Sequence, residues 1–199
     1  MTNKQPIQAM IFDLDGTLVQ TEKLKARSYA KAAVALCPYE LAEETVIEAF
    51  KEVVGLPRKE VAQALVARFD LADKAAARMA EFGVSRPWQA YVQLRLQIYE
   101  AMLRETAVIQ NNQWPHNIDL LRAAEKAQCK VALATMSHCE QANRVLSILG
   151  LQSAFAFVAT RDDVTNGKPN PEIYNLVAAE LDVDPRRTLV IEDSPAGVQ

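Results

Sequence analysis

Two aspartates spaced by one residue, Asp13 and Asp15, lie just after a short apolar run and are followed by Gly16 and Thr17. Three further polar groups occur later in the chain: Thr135 with Ser137, Lys168 within a Gly167-Lys168-Pro169 turn, and the adjacent carboxylates Glu192 and Asp193. Several carboxylates, hydroxyls and one ammonium at a common place repel one another unless a hard cation sits among them. Mg²⁺ favours a few carboxylates together with a substrate phosphate. The set therefore suits phosphoryl chemistry. Each member has an ordinary explanation when taken alone. Asp-x-Asp-Gly-Thr is also the form of a solvated turn or a calcium-loop fragment, although no Glu follows at the spacing of a helix-loop-helix calcium site. Ser137 reads as a helix cap, and Thr135 could be one too. A Lys before Pro is usually solvated, and Glu192-Asp193 could simply open a helix near Pro195, where acidic residues are favoured. Joint placement is what favours function.

That placement depends on the intervening elements. Ile7 to Phe12, Lys130 to Ala134, Phe155 to Ala159 and Thr188 to Ile191 are short apolar runs of the kind that form buried strands, and the polar groups follow their carboxyl ends. From Glu22 to about Thr106 the pattern is helical: Ile47, Phe50 and Val54, then Val61, Leu65 and Phe69, then Trp88, Val92, Leu96, Tyr99 and Leu103 recur at three and four. Gly55 and Gly83 stand at helix stops, Pro57 and Asp73 at helix starts, giving about four or five helices. Beyond Trp114-Pro115 strands alternate with helices, one capped by Asn117 and running to about Gln128, one from Cys139 to Gly150, and one opened by Asn170-Pro171 and ending near Leu181. Alternation predicts an α/β fold with a doubly wound parallel sheet, which binds ligands outside the carboxyl ends of its strands. The roughly one hundred helical residues between the first two strands exceed any single crossover. They are expected to be an inserted domain, 20–106, within a core made of 1–19 and 107–199.

Composition narrows the partners. Half of the 199 residues are apolar and 24% are charged, as in a soluble globular protein. A formal net charge of −3 makes the chain a poor ligand for nucleic acid or anionic lipid. Cys37, Cys129 and Cys139 have no metal-ligand spacing and imply no disulfide framework. The stretch Met1 to Pro6 lacks the apolar segment of a leader, and no run approaches the ~18 apolar residues of a spanning helix. A cytoplasmic monomer acting on a small molecule is expected.

Asp13-Leu14-Asp15-Gly16-Thr17-Leu18, Ala134-Thr135, Gly167-Lys168-Pro169 and Ile191-Glu192-Asp193-Ser194-Pro195-Ala196-Gly197 resemble the four ordered motifs of the haloacid dehalogenase superfamily. Within it the chain is most similar to the branch with a helical cap after the first motif, which contains β-phosphoglucomutase and many sugar-phosphate phosphatases. The resemblance implies a Rossmann-like core and an all-helical cap. It also implies Mg²⁺ as cofactor and a small phosphorylated metabolite, such as a sugar phosphate, as substrate. Asp13 is then the nucleophile and Asp15 the acid and base. Asp13, Asp193 and the backbone carbonyl of Asp15 hold the metal, with Glu192 as a direct or water-mediated helper, while Lys168 and Thr135 bind the phosphoryl group. Arg58, in Gly55-Leu56-Pro57-Arg58, matches a cap arginine that holds the substrate's non-transferring anion, and Arg95 lies where a basic cap residue faces the site. Lys25 stands about where the mutase has a histidine. Hydrolysis is the leading expectation, with a phosphosugar mutase or a non-catalytic relative as alternatives. The linker Trp114-Pro115-His116-Asn117 lacks the family's Pro-Gly, and relatives continue beyond the fourth motif for another helix, strand and helix. His116 and His138 are expected in surface or cap roles.

Overall fold

A computed structural model describes residues 6–199; the stretch Met1–Gln5, expected to carry no leader, lies outside the described residues. The chain forms two compact units, Glu22–Glu105 and, from two separated stretches, Met1–Thr21 with Thr106–Gln199.

The helical unit contains α1 (Thr21–Leu36), which begins one residue before it, then α2 (Glu43–Phe50), α3 (Arg58–Arg68), α4 (Ala72–Ala76), α5 (Met79–Phe82) and α6 (Pro87–Arg104). These are six helices among the described residues, one more than the largest number expected. The segment after Asp70 breaks near Ala77 and Arg78 into two short pieces, and Gly83 in the left-handed region ends the second. Tyr29, Val46, Phe50, Leu65, Leu71 and Tyr91 form its interior. The Tyr91 hydroxyl, which must find an acceptor when buried, donates to the Tyr29 carbonyl at 2.8 Å. Val54, expected on the apolar stripe of Ile47 and Phe50, is exposed because α2 ends at Phe50.

The other unit is built on a parallel sheet of β1 (Ala9–Phe12), β2 (Lys130–Ala134), β3 (Phe157–Ala159) and β4 (Thr188–Ile191), in the order β3-β2-β1-β4. Phe12 sits opposite Leu133 on one side and Ile191 on the other, so the carboxyl ends of the central strands are level. All four β1 residues are buried, which is why the run carries no polar alternation. Two strands are shorter than their apolar runs. Ile7 is exposed and precedes the β1 ladder, and β2–β3 pairing begins only at Phe157. Strand β4 is at an edge, with Leu189 and Val190 exposed.

Around the sheet lie α7 (Thr106–Gln110), α8 (Pro115–Lys126), α9 (Cys139–Leu149), α10 (Glu172–Glu180) and α11 (Pro195–Val198). Asn117 is not the cap of α8. The helix starts two residues earlier, at Pro115, whose missing N–H suits a first turn, and the Asn117 amide instead donates to the Thr17 carbonyl at 2.7 Å. Among the described residues no helix is long and apolar enough to cross a membrane.

Candidate active site

Backbone pairing runs past the strand ends and fixes the first site residues. The Asp13 N–H donates to the Ile191 carbonyl and the Thr135 N–H to the Ala159 carbonyl, each at 3.0 Å. Asp13 and Thr135 are therefore held on the sheet's own frame, one residue beyond β1 and β2. Asp13 is buried, and Lys168 Nζ donates to its Oδ1 at 2.7 Å, to the Ala134 carbonyl at 3.0 Å and to Glu192 Oε1 at 3.1 Å. Only 6% of the Lys168 side chain is exposed, so it is not a solvated lysine ahead of a proline. The Tyr174 ring flanks the ammonium, 5.3 Å from Nζ. Burial alone would lower Lys168, but the Asp13 charge and hydrogen bond, with Tyr174 and Glu192, hold it above its ordinary value. Burial raises the Asp13 carboxyl to about 7; the Lys168 charge opposes this, while the charges of Glu192 and Asp15 add to it.

Glu192 and Asp193 complete an acidic group. One carboxylate oxygen from each of Asp13, Glu192 and Asp193 falls within 4.8 Å of the others. Two glycines make room for it. A Cβ on Gly16, whose φ is +94°, would lie 2.0 Å from Asp193 Oδ2, and one on Gly197 would lie 1.5 Å from Glu192 Oε1. Thr17 Oγ1 donates to Asp193 Oδ1 at 3.3 Å, and Glu192 accepts from the Ser194 hydroxyl at 3.0 Å and the Asp193 N–H at 3.1 Å. The α11 cap is Ser194, which accepts from the Gly197 N–H at 3.1 Å, so the two acidic residues are not spent on starting that helix. Three hard oxygen donors beside one ammonium fit a divalent cation such as Mg²⁺ better than a soft metal.

Asp15 is half-buried on the turn after β1, where the Gly16 N–H donates to the Val19 carbonyl at 2.7 Å. Its Oδ2 accepts a hydrogen bond from the Ser137 hydroxyl. Ser137 is therefore not a helix cap. Helix α9 begins after His138, and the carboxylate that caps it belongs to Asp162, which accepts from the Cys139 N–H at 2.8 Å and contacts His138 Nδ1 at 2.6 Å. The buried Thr135 hydroxyl accepts from the Ser137 N–H at 3.0 Å. His138 is exposed and His116 packs on the Trp114 ring at 5.2 Å.

The basic residues Lys25, Arg58 and Arg95 meet at one cavity of about 220 Å³ inside the helical unit, together with Glu22 and Tyr29. Lys25 pairs with Glu22 at 2.6 Å. Arg95 is 5% exposed, and its guanidinium lies between the rings of Tyr29 (4.9 Å) and Tyr99 (4.5 Å), an arrangement suited to cation–π attraction. Its Nε has no hydrogen-bond partner among the described residues. Sequence reading did not single out the clamp of Tyr29 and Tyr99, although Tyr99 stands one helical turn after Arg95.

The family model for haloacid dehalogenase-like hydrolases matches residues 7–199. A Thermotoga maritima protein named phosphorylated carbohydrates phosphatase is 28% identical over 194 residues, covering 97% of this chain and 79% of that protein. The validoxylamine A 7'-phosphate phosphatase of Streptomyces hygroscopicus subsp. limoneus is 27% identical over 191 residues, covering 94% and 78%. Among solved structures, a candidate β-phosphoglucomutase of Thermotoga maritima superposes with a TM-score of 0.69 at 26% identity, covering 96% of this chain and 79% of that one.

Proposed function

Since the chain belongs to the haloacid dehalogenase-like hydrolase family, we propose that it is a Mg²⁺-dependent phosphatase of a small phosphorylated carbohydrate that works through an aspartyl-phosphate on Asp13. The observation that carries this reading is the buried Asp13 carboxylate, bonded to Lys168 and grouped with Glu192 and Asp193. Asp13, Asp193, Glu192 and the Asp15 backbone carbonyl would hold the cation. Bound there, it supplies positive charge against the phosphoryl oxygens.

A carboxylate oxygen of Asp13 attacks phosphorus as the bond to the sugar oxygen breaks, and that oxygen leaves with a proton from Asp15. Water then attacks the aspartyl-phosphate, giving its proton to Asp15, and inorganic phosphate departs from a regenerated Asp13. Lys168 and Thr135 hold the phosphoryl oxygens through both steps, so that most of the catalysis is positioning and charge stabilisation. Substrate choice belongs to the inserted segment 20–106, where Arg58 and Arg95 bind the part of the substrate that is not transferred. A mutase would pass the phosphoryl group to a second sugar hydroxyl. The cap position that the resemblance gives to a histidine in the mutase is held here by Lys25, ion-paired with Glu22, so hydrolysis is the reading retained.

The test is release of inorganic phosphate from phosphorylated sugars and an aryl phosphate, with Mg²⁺ and with chelator. Asp13→Asn keeps the side-chain shape, loses the nucleophile and is expected to abolish release. Residual activity above a few per cent of wild type, or full activity in chelator, would sink the assignment.

A further inference from the structure

The hydrogen bond between Ser137 and Asp15 joins residues 122 apart in the chain and lies within the core unit. Its donor is set on a rigid support. The Ser137 N–H donates to Thr135 Oγ1 at 3.0 Å, and its carbonyl accepts from the Arg161 N–H at 3.1 Å. Thr135 is in turn tied to Ala159 of β3 through its own N–H. The hydroxyl thus stands on a turn that both the β2 and the β3 ends fix, and it has been released from capping because Asp162 occupies the start of α9.

Asp15 has less support of its own. It lies on a turn rather than in the sheet ladder, and its Oδ1 makes no hydrogen bond among the described residues. A carboxylate on such a turn can rotate about two side-chain bonds, and a proton donor must sit within hydrogen-bond reach of the atom it serves. Holding one oxygen fixes where the other points.

We propose that Ser137 is a positioning residue: it grips Oδ2 of Asp15 and thereby presents Oδ1 for proton exchange with the leaving oxygen and the attacking water. The proposal rests on the phosphatase reading for its chemistry and on the Ser137–Asp15 geometry for its substance. General acid catalysis contributes about 10²- to 10⁴-fold, and a misaligned donor forfeits part of that. Ser137→Ala is therefore expected to slow aspartyl-phosphate formation from an alkyl phosphate by roughly 10- to 100-fold in single turnovers, with KM unchanged. An aryl phosphate, whose leaving oxygen needs little protonation, should slow by less than about threefold in the same step. Ser137→Thr keeps the hydroxyl and should restore most of the alkyl rate. Crystal structures of wild type and Ser137→Ala provide a readout free of turnover: one Asp15 side-chain rotamer in the first, several in the second. An unchanged single rotamer in Ser137→Ala overturns the proposal. So does equal slowing of alkyl and aryl substrates, or a rise in KM at constant kcat, which would mean that Ser137 touches the substrate directly. A wild-type protein that releases no phosphate would overturn the phosphatase reading alone, and the rotamer comparison would still decide whether Ser137 holds Asp15.

Discussion

Replacing Gly16 by Ala separates the strength of the fold from the geometry of the acidic group. Gly16 has a φ of +94°, where an L residue loses roughly 1–2 kcal/mol to its own Cβ, partly offset by a less flexible unfolded chain. The new Cβ would also start 2.0 Å from Asp193 Oδ2, so that oxygen must retreat by about 1.4 Å to reach ordinary contact at 3.4 Å. It is the end of a side chain rather than backbone, and retreat gives up at least the Thr17 hydrogen bond, about 0.5–1.5 kcal/mol. Retreat does, however, move a carboxylate that would hold the cation by more than half of a Mg–O distance of about 2.1 Å. Function should therefore suffer far more than stability. Gly55→Ala is the control, because Gly55 has a similar φ of +86° with nothing within 4 Å of the added Cβ. Denaturant unfolding without metal should place the two variants within about 3 kcal/mol of each other, the scale of one or two lost hydrogen bonds. Mg²⁺ titration of phosphate release should then show a half-saturating concentration raised about tenfold or more, and kcat/KM reduced about 100-fold, in Gly16→Ala alone. Equal Mg²⁺ dependence in the two variants would refute the argument that Gly16 is there to make room for Asp193.

Two further outcomes follow from the same site and from the helical unit. Excess Ca²⁺ should inhibit phosphate release in the presence of Mg²⁺, since its larger and more flexible shell sets carboxylates and phosphate at the wrong distances; equal support of activity by the two cations would contradict the grouping of Asp13, Glu192 and Asp193 as a site tuned to a small cation. Arg58→Ala should lower kcat/KM for a bulky phosphorylated sugar about tenfold or more, yet barely change that for a small aryl phosphate, if Arg58 binds the remote part of the substrate; steady-state kinetics showing no change for either would return Arg58 to a solvated first turn.

Strands buried on both faces are legible because no alternation is needed to read them, and β2 begins and ends where its apolar run does, as does the exposed edge strand β4. Apolar character alone misleads at Ile7 and Phe155, which extend the runs of β1 and β3 without entering the ladder. Helix starts are harder. Asn117 has the right chemistry for a cap, but Pro115 sets the first turn earlier and frees the amide for the Thr17 carbonyl. Side chains that follow strand ends can be placed from sequence, and the structure does bring Asp13, Lys168, Glu192 and Asp193 together. What spacing does not encode is a contact between side chains on different turns. Ser137 reads as a local cap because its partner lies on the loop after another strand, and the Tyr29–Arg95–Tyr99 stack joins α1 to α6 with no periodic signature.

The five residues from Asp13 to Thr17 show how environment divides labour among similar groups. Asp13 and Asp15 are the same residue type two positions apart, so their intrinsic chemistry is equal and their surroundings must separate them. Asp13 continues the sheet ladder through its N–H, is buried and takes an ammonium, which fixes its carboxylate in a place that also holds the negative charge of Glu192. Asp15 sits on the turn, half-buried, with a neutral hydroxyl rather than an ammonium as its partner. Gly16 then clears the space that Asp193 fills, and Thr17 donates to that same carboxylate. Under the proposed roles, exchanging the two partners would fail on both counts. An ammonium beside Asp15 would favour the ionised form of the group assigned to give up a proton, while a hydroxyl alone on Asp13 would leave the buried carboxylates without a fixed positive charge.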